Sequence, residues 1–85
     1  PNPFNSSSTI SFSATDLHRL TQISIYNIKG QLVRHFAIRN PQSELTKIVW
    51  NGKDEKGKPV GSGIYFYRLK VGNKVIDTKK CLLLR

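Results

Sequence analysis

The stretch W-N-G-K-D-E-K-G-K-P-V-G-S-G-I-Y-F-Y-R-L, residues 50–69, decides how this chain folds. An apolar run that ends at Trp50 closes one strand, and a second apolar run from Ile64 to Val71 opens another. The residues between them, 51–63, include four of the six glycines of the chain. We therefore predict a long ordered loop that joins two β-strands.

Turn-forming residues follow one another through this loop. Gly52 and Gly57 tolerate a positive φ, and the side chain of Asp54 can accept hydrogen bonds from backbone N–H groups two residues on. Pro59 favours an extended conformation at the residue before it. We expect the segment from Gly61 to Gly63 to pass close to other backbone before the next strand begins.

Short apolar and polar runs at regular spacing predict the other strands. The predicted strands are Thr9–Ala14, Thr21–Ile28, Leu32–Ile38, Glu44–Trp50, Ile64–Val71 and Lys74–Arg85. The third run alternates poorly, which a β-bulge or burial on both faces would explain. Turns at Gly30 and at Gly72-Asn73 would join neighbouring strands as hairpins.

The sum of these runs predicts an all-β fold, an immunoglobulin-like antiparallel β-sandwich of six to seven strands. The sandwich would span residues 9–85, and residues 1–8, with two prolines in the first three positions, would form a linker segment. The chain has 85 residues and no Met, so we expect one domain that is a piece of a longer protein. No apolar run is long enough for a transmembrane helix, and no signal peptide is recognisable.

The formal net charge is +9, from 14 basic and 5 acidic residues. Such a surface attracts polyanions such as nucleic acid, anionic polysaccharide or lipopolysaccharide, but outward-facing Lys and Arg also discourage pairing at sheet edges. The basic residues are spread over every strand and loop, which argues against a nucleic-acid interface. An anionic polysaccharide or lipopolysaccharide partner stays open.

The sequence offers no believable catalytic set, so we expect no enzyme and no cofactor. Asp54 and Glu55 are adjacent, but the loop lacks the spaced oxygens of a calcium site and is rich in lysine, so no metal is expected. The lone Cys81 lies in an apolar run and is expected to be a buried small residue. Trp50, Tyr65 and Tyr67 could form a platform for sugar, although their spacing fits core packing better.

Residues 50–69 resemble the signature of the type IX secretion C-terminal sorting domain (type A), which is related to the Ig-like domain of the flagellar hook-capping protein. Further blocks carry the resemblance at Pro1–Asn5, Ile25–Gln31 and Thr78–Arg85. Asn51 departs from the family, which usually has Asp after the Trp, and Cys81 stands where a larger aliphatic residue or Met is usual.

The resemblance implies a non-catalytic domain that directs an upstream cargo protein from the periplasm through the outer membrane to the cell surface or beyond. Its implied partners are the outer-membrane translocon and a surface protease that removes the domain. In the family the last strand carries the export signal, which here predicts translocon recognition by Lys79, Lys80, Cys81, Leu82, Leu83, Leu84 and Arg85. The residues expected to support the fold are Trp50, Gly52, Asp54, Gly57, Gly63, Tyr65 and Tyr67.

The alternative is an Ig-like accessory module of a multidomain secreted enzyme, acting in spacing, assembly or carbohydrate binding. A carbohydrate-binding module would expose coplanar aromatic side chains, whereas the sorting hypothesis expects Tyr65 and Tyr67 to be mostly buried. The apolar end of the last strand could also be explained by burial alone. If that strand lies at a sheet edge, it could be offered for strand addition to a partner.

Overall fold

The computed structural model describes residues 7–13, 20–39 and 45–84. These ranges contain six strands and no helix: β1 (Ser8–Ser13), β2 (Thr21–Tyr26), β3 (Leu32–Ile38), β4 (Leu45–Trp50), β5 (Gly63–Val71) and β6 (Lys74–Leu83). Strands β1 and β4 pair as a two-stranded sheet, and the other four form a sheet in the order β3-β2-β5-β6. All pairings are antiparallel, which confirms the predicted all-β sandwich.

The core lies between the two sheets. Ile10 and Trp50 enter it from the two-stranded sheet, and both are fully buried. Strand β2 supplies Ile23 and Ile25 at alternate positions, again with no exposed surface. Burying an aliphatic side chain of this size contributes about 1.5–3 kcal/mol, so these few positions hold the sheets together.

Strand β2 ends at Tyr26, two residues before the predicted end at Ile28, which lies in the turn and is 75% exposed. The reason is Asn27, whose side-chain Oδ1 accepts hydrogen bonds from the backbone N–H groups of Lys29 and Gln31, both at 3.0 Å. Such local side-chain bonds offer the backbone an alternative to the strand. The hairpin to β3 therefore begins two residues earlier than the apolar pattern predicts.

The blurred alternation of β3 arises from a β-bulge at Val33. Ile25 pairs with Arg34 and Tyr26 pairs with Leu32, so Val33 is an extra residue on β3. Val33 points into the core and is 8% exposed, whereas Leu32 lies on the outer side and is 55% exposed. The bulge is the first of the two explanations that the sequence left open.

Strand β6 is an edge strand, since in the described part of the chain it pairs only with β5. The two strands are joined by the predicted hairpin turn at Gly72-Asn73, with Gly72 at a φ of 60°. A second bulge occurs at Ile76, because Leu69 pairs with Asp77 and Lys70 with Val75. Over the ranges that can be described, no helix could cross a membrane.

Candidate functional site

Trp50 and Tyr65 fix the two ends of the long loop, residues 51–62, to the core. The Trp50 ring is fully buried and its Nε1–H donates to the carbonyl of Lys53 at 2.9 Å. The Tyr65 ring meets it edge-on, with centroids 5.0 Å apart and planes at 73°. The Tyr65 hydroxyl donates to the carbonyl of Gly61 at 2.7 Å.

These aromatic side chains are core residues rather than a sugar platform. Tyr65 is 7% exposed, and Tyr67 is half-buried and packs against the same core. The expectation that both tyrosines are mostly buried is confirmed, so Trp50, Tyr65 and Tyr67 do not form the exposed sugar platform that the sequence left open.

Asp54 organises the middle of the loop as predicted. Its Oδ1 accepts hydrogen bonds from the backbone N–H of Lys56 at 2.9 Å and of Lys58 at 3.0 Å. The backbone N–H of Lys58 is the largest cause of a lowered pKa at Asp54; desolvation opposes this shift, and the bond from Lys56 adds to it. The carboxylate therefore serves as an Asx-turn acceptor.

Two loop glycines show what the turn requires. Gly57 has a φ of 81° in open space, so it is needed for its backbone conformation alone. The predicted close backbone approach at Gly61 to Gly63 is wrong, because a Cβ at either glycine would meet nothing within 4 Å. Gly63 is instead set by its φ of 150°, which side-chain-bearing residues rarely adopt.

Glu55 attaches the loop to β3, a contact that the sequence did not reveal. Its backbone N–H donates to the carbonyl of Val33 at 3.1 Å, and its carboxylate accepts a hydrogen bond from the backbone N–H of His35. Arg34 Nη1 lies 3.9 Å from the same carboxylate. The poor alternation of the third apolar run was the one sequence feature indicating that β3 departs from regular strand pairing at this edge.

The described residues contain no group of three or more His, Cys, Asp or Glu side chains that could hold a metal ion. His35 instead places Nε2 2.9 Å from the side-chain Oε1 of Gln22 on the neighbouring strand. This histidine is thus held by a neutral amide across the β2–β3 pair.

The predicted recognition residues lie in the second half of β6 and just beyond its end at Leu83. Leu83 is fully buried in the core, whereas Leu82 is 55% and Leu84 is 66% exposed. Burial therefore explains only Leu83 among these leucines, because β6 is an edge strand whose sides are largely open. Lys79 and Lys80 are exposed, and Arg85 lies outside the described residues.

The pairing with β5 divides these residues between two faces. Lys79 pairs with Tyr67, Cys81 with Tyr65 and Leu83 with Gly63, so this set shares the side of the sheet that carries the core. Lys80 pairs with Phe66 and Leu82 with Ile64 on the opposite side. Lys79 is further held by Asp77, with Nζ 3.6 Å from Oδ2.

Cys81 is half-buried rather than fully buried. Desolvation raises the pKa of its thiol, and a hydrogen bond with the side chain of Ser8 on β1 partly opposes that shift. The thiol therefore stays protonated at neutral pH, which makes it a weak nucleophile. The predicted role as a small packing residue fits this environment.

Comparison with known proteins then decides the family. A family model described as the secretion system C-terminal sorting domain matches residues 1–83. The chain belongs to this family. Sorting domains of this kind are secretion signals rather than enzymes, and their role implies secretion to the cell surface or the extracellular space.

A solved structure resembles this sorting domain over 96% of its length. It is the crystal structure of dimeric latent PorU from Porphyromonas gingivalis, with a TM-score of 0.74 and 26% sequence identity. The sorting domain spans only 8% of that chain. No curated protein matches the sequence significantly.

Proposed function

We propose that this sorting domain directs an upstream cargo protein from the periplasm through the outer membrane by type IX secretion. The observation that carries this proposal is the family match over residues 1–83. It is supported by the exposed end of β6, where Lys79, Lys80 and Leu82 are accessible to a partner. The recognised element in the proposal is residues 79–85.

The domain works in this proposal by being bound. Its partners are the outer-membrane translocon and, after export, a surface protease that removes the domain from the cargo. This removal step rests on the family's behaviour, and the chain itself needs to supply no catalytic group for it. The protonated, half-buried Cys81 and the amide-paired His35 are consistent with a passive role.

Export of a reporter tests the proposal. A periplasmic reporter with a Sec signal is fused to the N-terminal side of this chain and expressed in a type IX-competent bacterium. Deleting residues 79–85 alone would be a poor test, because it removes the buried Leu83 and five of the nine residue pairs between β5 and β6. A better variant replaces only exposed side chains, with Lys79→Ser, Lys80→Ser, Leu82→Thr and Leu84→Ser.

We expect the intact fusion to reach the medium or cell surface, and the substituted fusion to remain folded in the periplasm. The matched control carries Lys47→Ser and Val49→Thr on β4, whose side chains are also exposed. Retention of the intact fusion, while a known sorting domain exports the same reporter, would refute the proposal. The mass of the exported reporter reports separately whether the domain is removed.

A further inference from the structure

The face of the four-stranded sheet that points away from β1 and β4 carries five adjacent apolar or aromatic side chains. We call this set the outer patch: Tyr26, Leu32, Ile64, Phe66 and Leu82. Tyr26 pairs directly with both Leu32 and Phe66, and Ile64 pairs with Leu82. Directly paired residues share a face with Cβ atoms about 4.5–5.5 Å apart, so the patch is continuous across all four strands.

The alternation of β5 fixes which face this is. Tyr65 and Leu69 are buried in the core. Successive side chains of a strand point to opposite faces, so Ile64 and Phe66, the two neighbours of Tyr65, point away from the core. Ile64 is 43% and Phe66 38% exposed, and Leu82 beside them is 55% exposed. Single exposed apolar residues are ordinary, but a continuous set of this kind marks an interaction site.

The charges on the β5 and β6 side of the outer patch are basic, whereas at its β3 side Leu32 lines a pocket with Asp54, Glu55, Lys56 and Lys58. Lys80 pairs with Phe66, and Arg68 continues the same face of β5 with its guanidinium carbon 5.4 Å from the centre of the Tyr26 ring. Among the described strand residues of this face, none carries a carboxylate. Glu55, in the loop at the β3 edge, already accepts a hydrogen bond from the backbone of His35.

The two basic residues on the β5 and β6 side of the patch, Lys80 and Arg68, indicate which kind of surface would fit there. A second copy would bring Lys80 and Arg68 against like charges, which is unfavourable where water is excluded. A protein surface with an apolar centre and an acidic rim would match both parts of the patch.

We propose that the outer patch is the docking surface for an apolar, acidic-rimmed protein surface of the secretion machinery. This inference rests on the proposed function and makes it more specific. The machinery reads a folded surface built from four strands, in which β6 contributes Lys80 and Leu82. Within the proposed element, residues 79–85, this narrows the contacts made by β6 to Lys80 and Leu82, because Lys79, Cys81 and Leu83 face the core side of the sheet.

The reporter fusion tests the patch directly. The variant Ile64→Thr with Leu82→Thr keeps strand-forming residues but removes apolar surface from the centre of the patch. We expect its export to fall at least about tenfold, which corresponds to about 1.4 kcal/mol of lost binding. The controls are Val75→Thr, at the far end of the same face and 48% exposed, and Val49→Thr on β4, 62% exposed.

Charge reversal at two neighbouring lysines on opposite faces tests whether the partner requires positive charge on the outer face and whether it recognises the folded sheet. Lys80→Glu places a negative charge beside Phe66 and is expected to reduce export strongly. Lys79→Glu changes the net charge equally but lies on the other face, beside Asp77, and is expected to have a much smaller effect. Equal losses from the two variants would indicate recognition of an extended peptide and would overturn the inference.

Urea unfolding of each purified fusion protein separates loss of docking from loss of folding of the sorting domain. The intact fusion is also tested for self-association by sedimentation and for binding to phosphatidylglycerol vesicles. Self-association or vesicle binding that disappears in the Ile64→Thr and Leu82→Thr variant would assign the patch to those occupants and overturn the proposal. Normal export of a stably folded patch variant would overturn it as well.

The two proposals fail in different ways. If the intact fusion is retained while a known sorting domain exports the reporter, the sorting function is refuted and the patch inference with it. If the intact fusion and the patch variant are both exported normally, the sorting function survives and only the outer patch is refuted.

Discussion

The carboxyl group of Asp54 makes the stability of the fold depend on pH. Hydrogen bonds from the loop backbone, above all from Lys58, lower the pKa of this carboxyl in the folded state below the ordinary value of 3.8. The folded chain therefore releases this proton more readily than the unfolded chain does. Its stabilising contribution is complete above pH 3.8 and is lost as the pH falls through the lower folded pKa.

We expect Asp54→Asn to lower the melting temperature near neutral pH, although the amide oxygen can still accept hydrogen bonds. The difference from the unchanged domain should shrink as the pH falls below 3.8, because the aspartic acid is then also neutral. Thermal unfolding between about pH 7 and about pH 2 measures it. Asp77→Asn, on exposed β6, controls for the loss of one negative charge, and a difference that stayed constant with pH would contradict the explanation.

At the level of secondary-structure elements, the loop between β4 and β5 protects the free edge of β3. Glu55 binds Val33 through its backbone and His35 through its carboxylate, using backbone groups that an unprotected edge would present to another strand. The bulge at Val33 is part of the same arrangement, since it turns the Val33 side chain into the core while its carbonyl meets the loop.

Glu55→Ala should therefore destabilise the domain by about 1 kcal/mol, because a hydrogen bond to a charged acceptor is lost at a half-exposed site. Urea unfolding with an unchanged m-value is the measurement. Lys56→Ala, the exposed neighbour, should stay within about 0.5 kcal/mol. Equal effects of the two substitutions would mean that the contact between the Glu55 carboxylate and β3 contributes nothing measurable to stability.

Two adjacent leucines of β6 differ in burial: Leu83 lies in the core and Leu82 is exposed. Leu83 has no exposed surface, so Leu83→Ala should cost about 2–5 kcal/mol and unfold the domain in markedly less urea. Leu82 is 55% exposed, and Leu82→Ala should change stability by no more than about 0.5 kcal/mol. A large loss at Leu82 would place that side chain in the core and would contradict the division of β6 into two faces.

For the whole molecule, the sequence predicted the features that depend on residues close together in the chain, such as turns and the direction of side chains in a strand. The Asx-turn at Asp54, the hairpin turn at Gly72-Asn73 and the inward direction of Tyr65 follow from spacing and turn chemistry, and the structure has all three. The fold class followed from regular short strands, and the family from several ordered blocks of sequence. The recognition role of residues 79–85 stays a prediction.

Contacts between distant parts of the chain were not predictable in this way. The hydrogen bond from Glu55 to Val33 joins residues from different strands and loops, and no periodicity encodes it. The separation of β1 and β4 into their own sheet is likewise a matter of tertiary packing. For the same reason, the sequence did not reveal that Tyr26, Phe66 and Leu82 meet on one open face.

The closed edge at β3 has a consequence for polymerisation. A sheet grows into a fibre only if strands can be added at both of its sides, and here the loop occupies one side at Val33 and His35. The other side is β6, which carries the exposed side chains of Lys74, Lys79 and Lys80, and charged side chains of this kind discourage pairing at a sheet edge. If two β6 edges did pair, the loop-covered β3 edges would lie outermost and the assembly would end at two copies, so we expect the four-stranded sheet not to nucleate a filament.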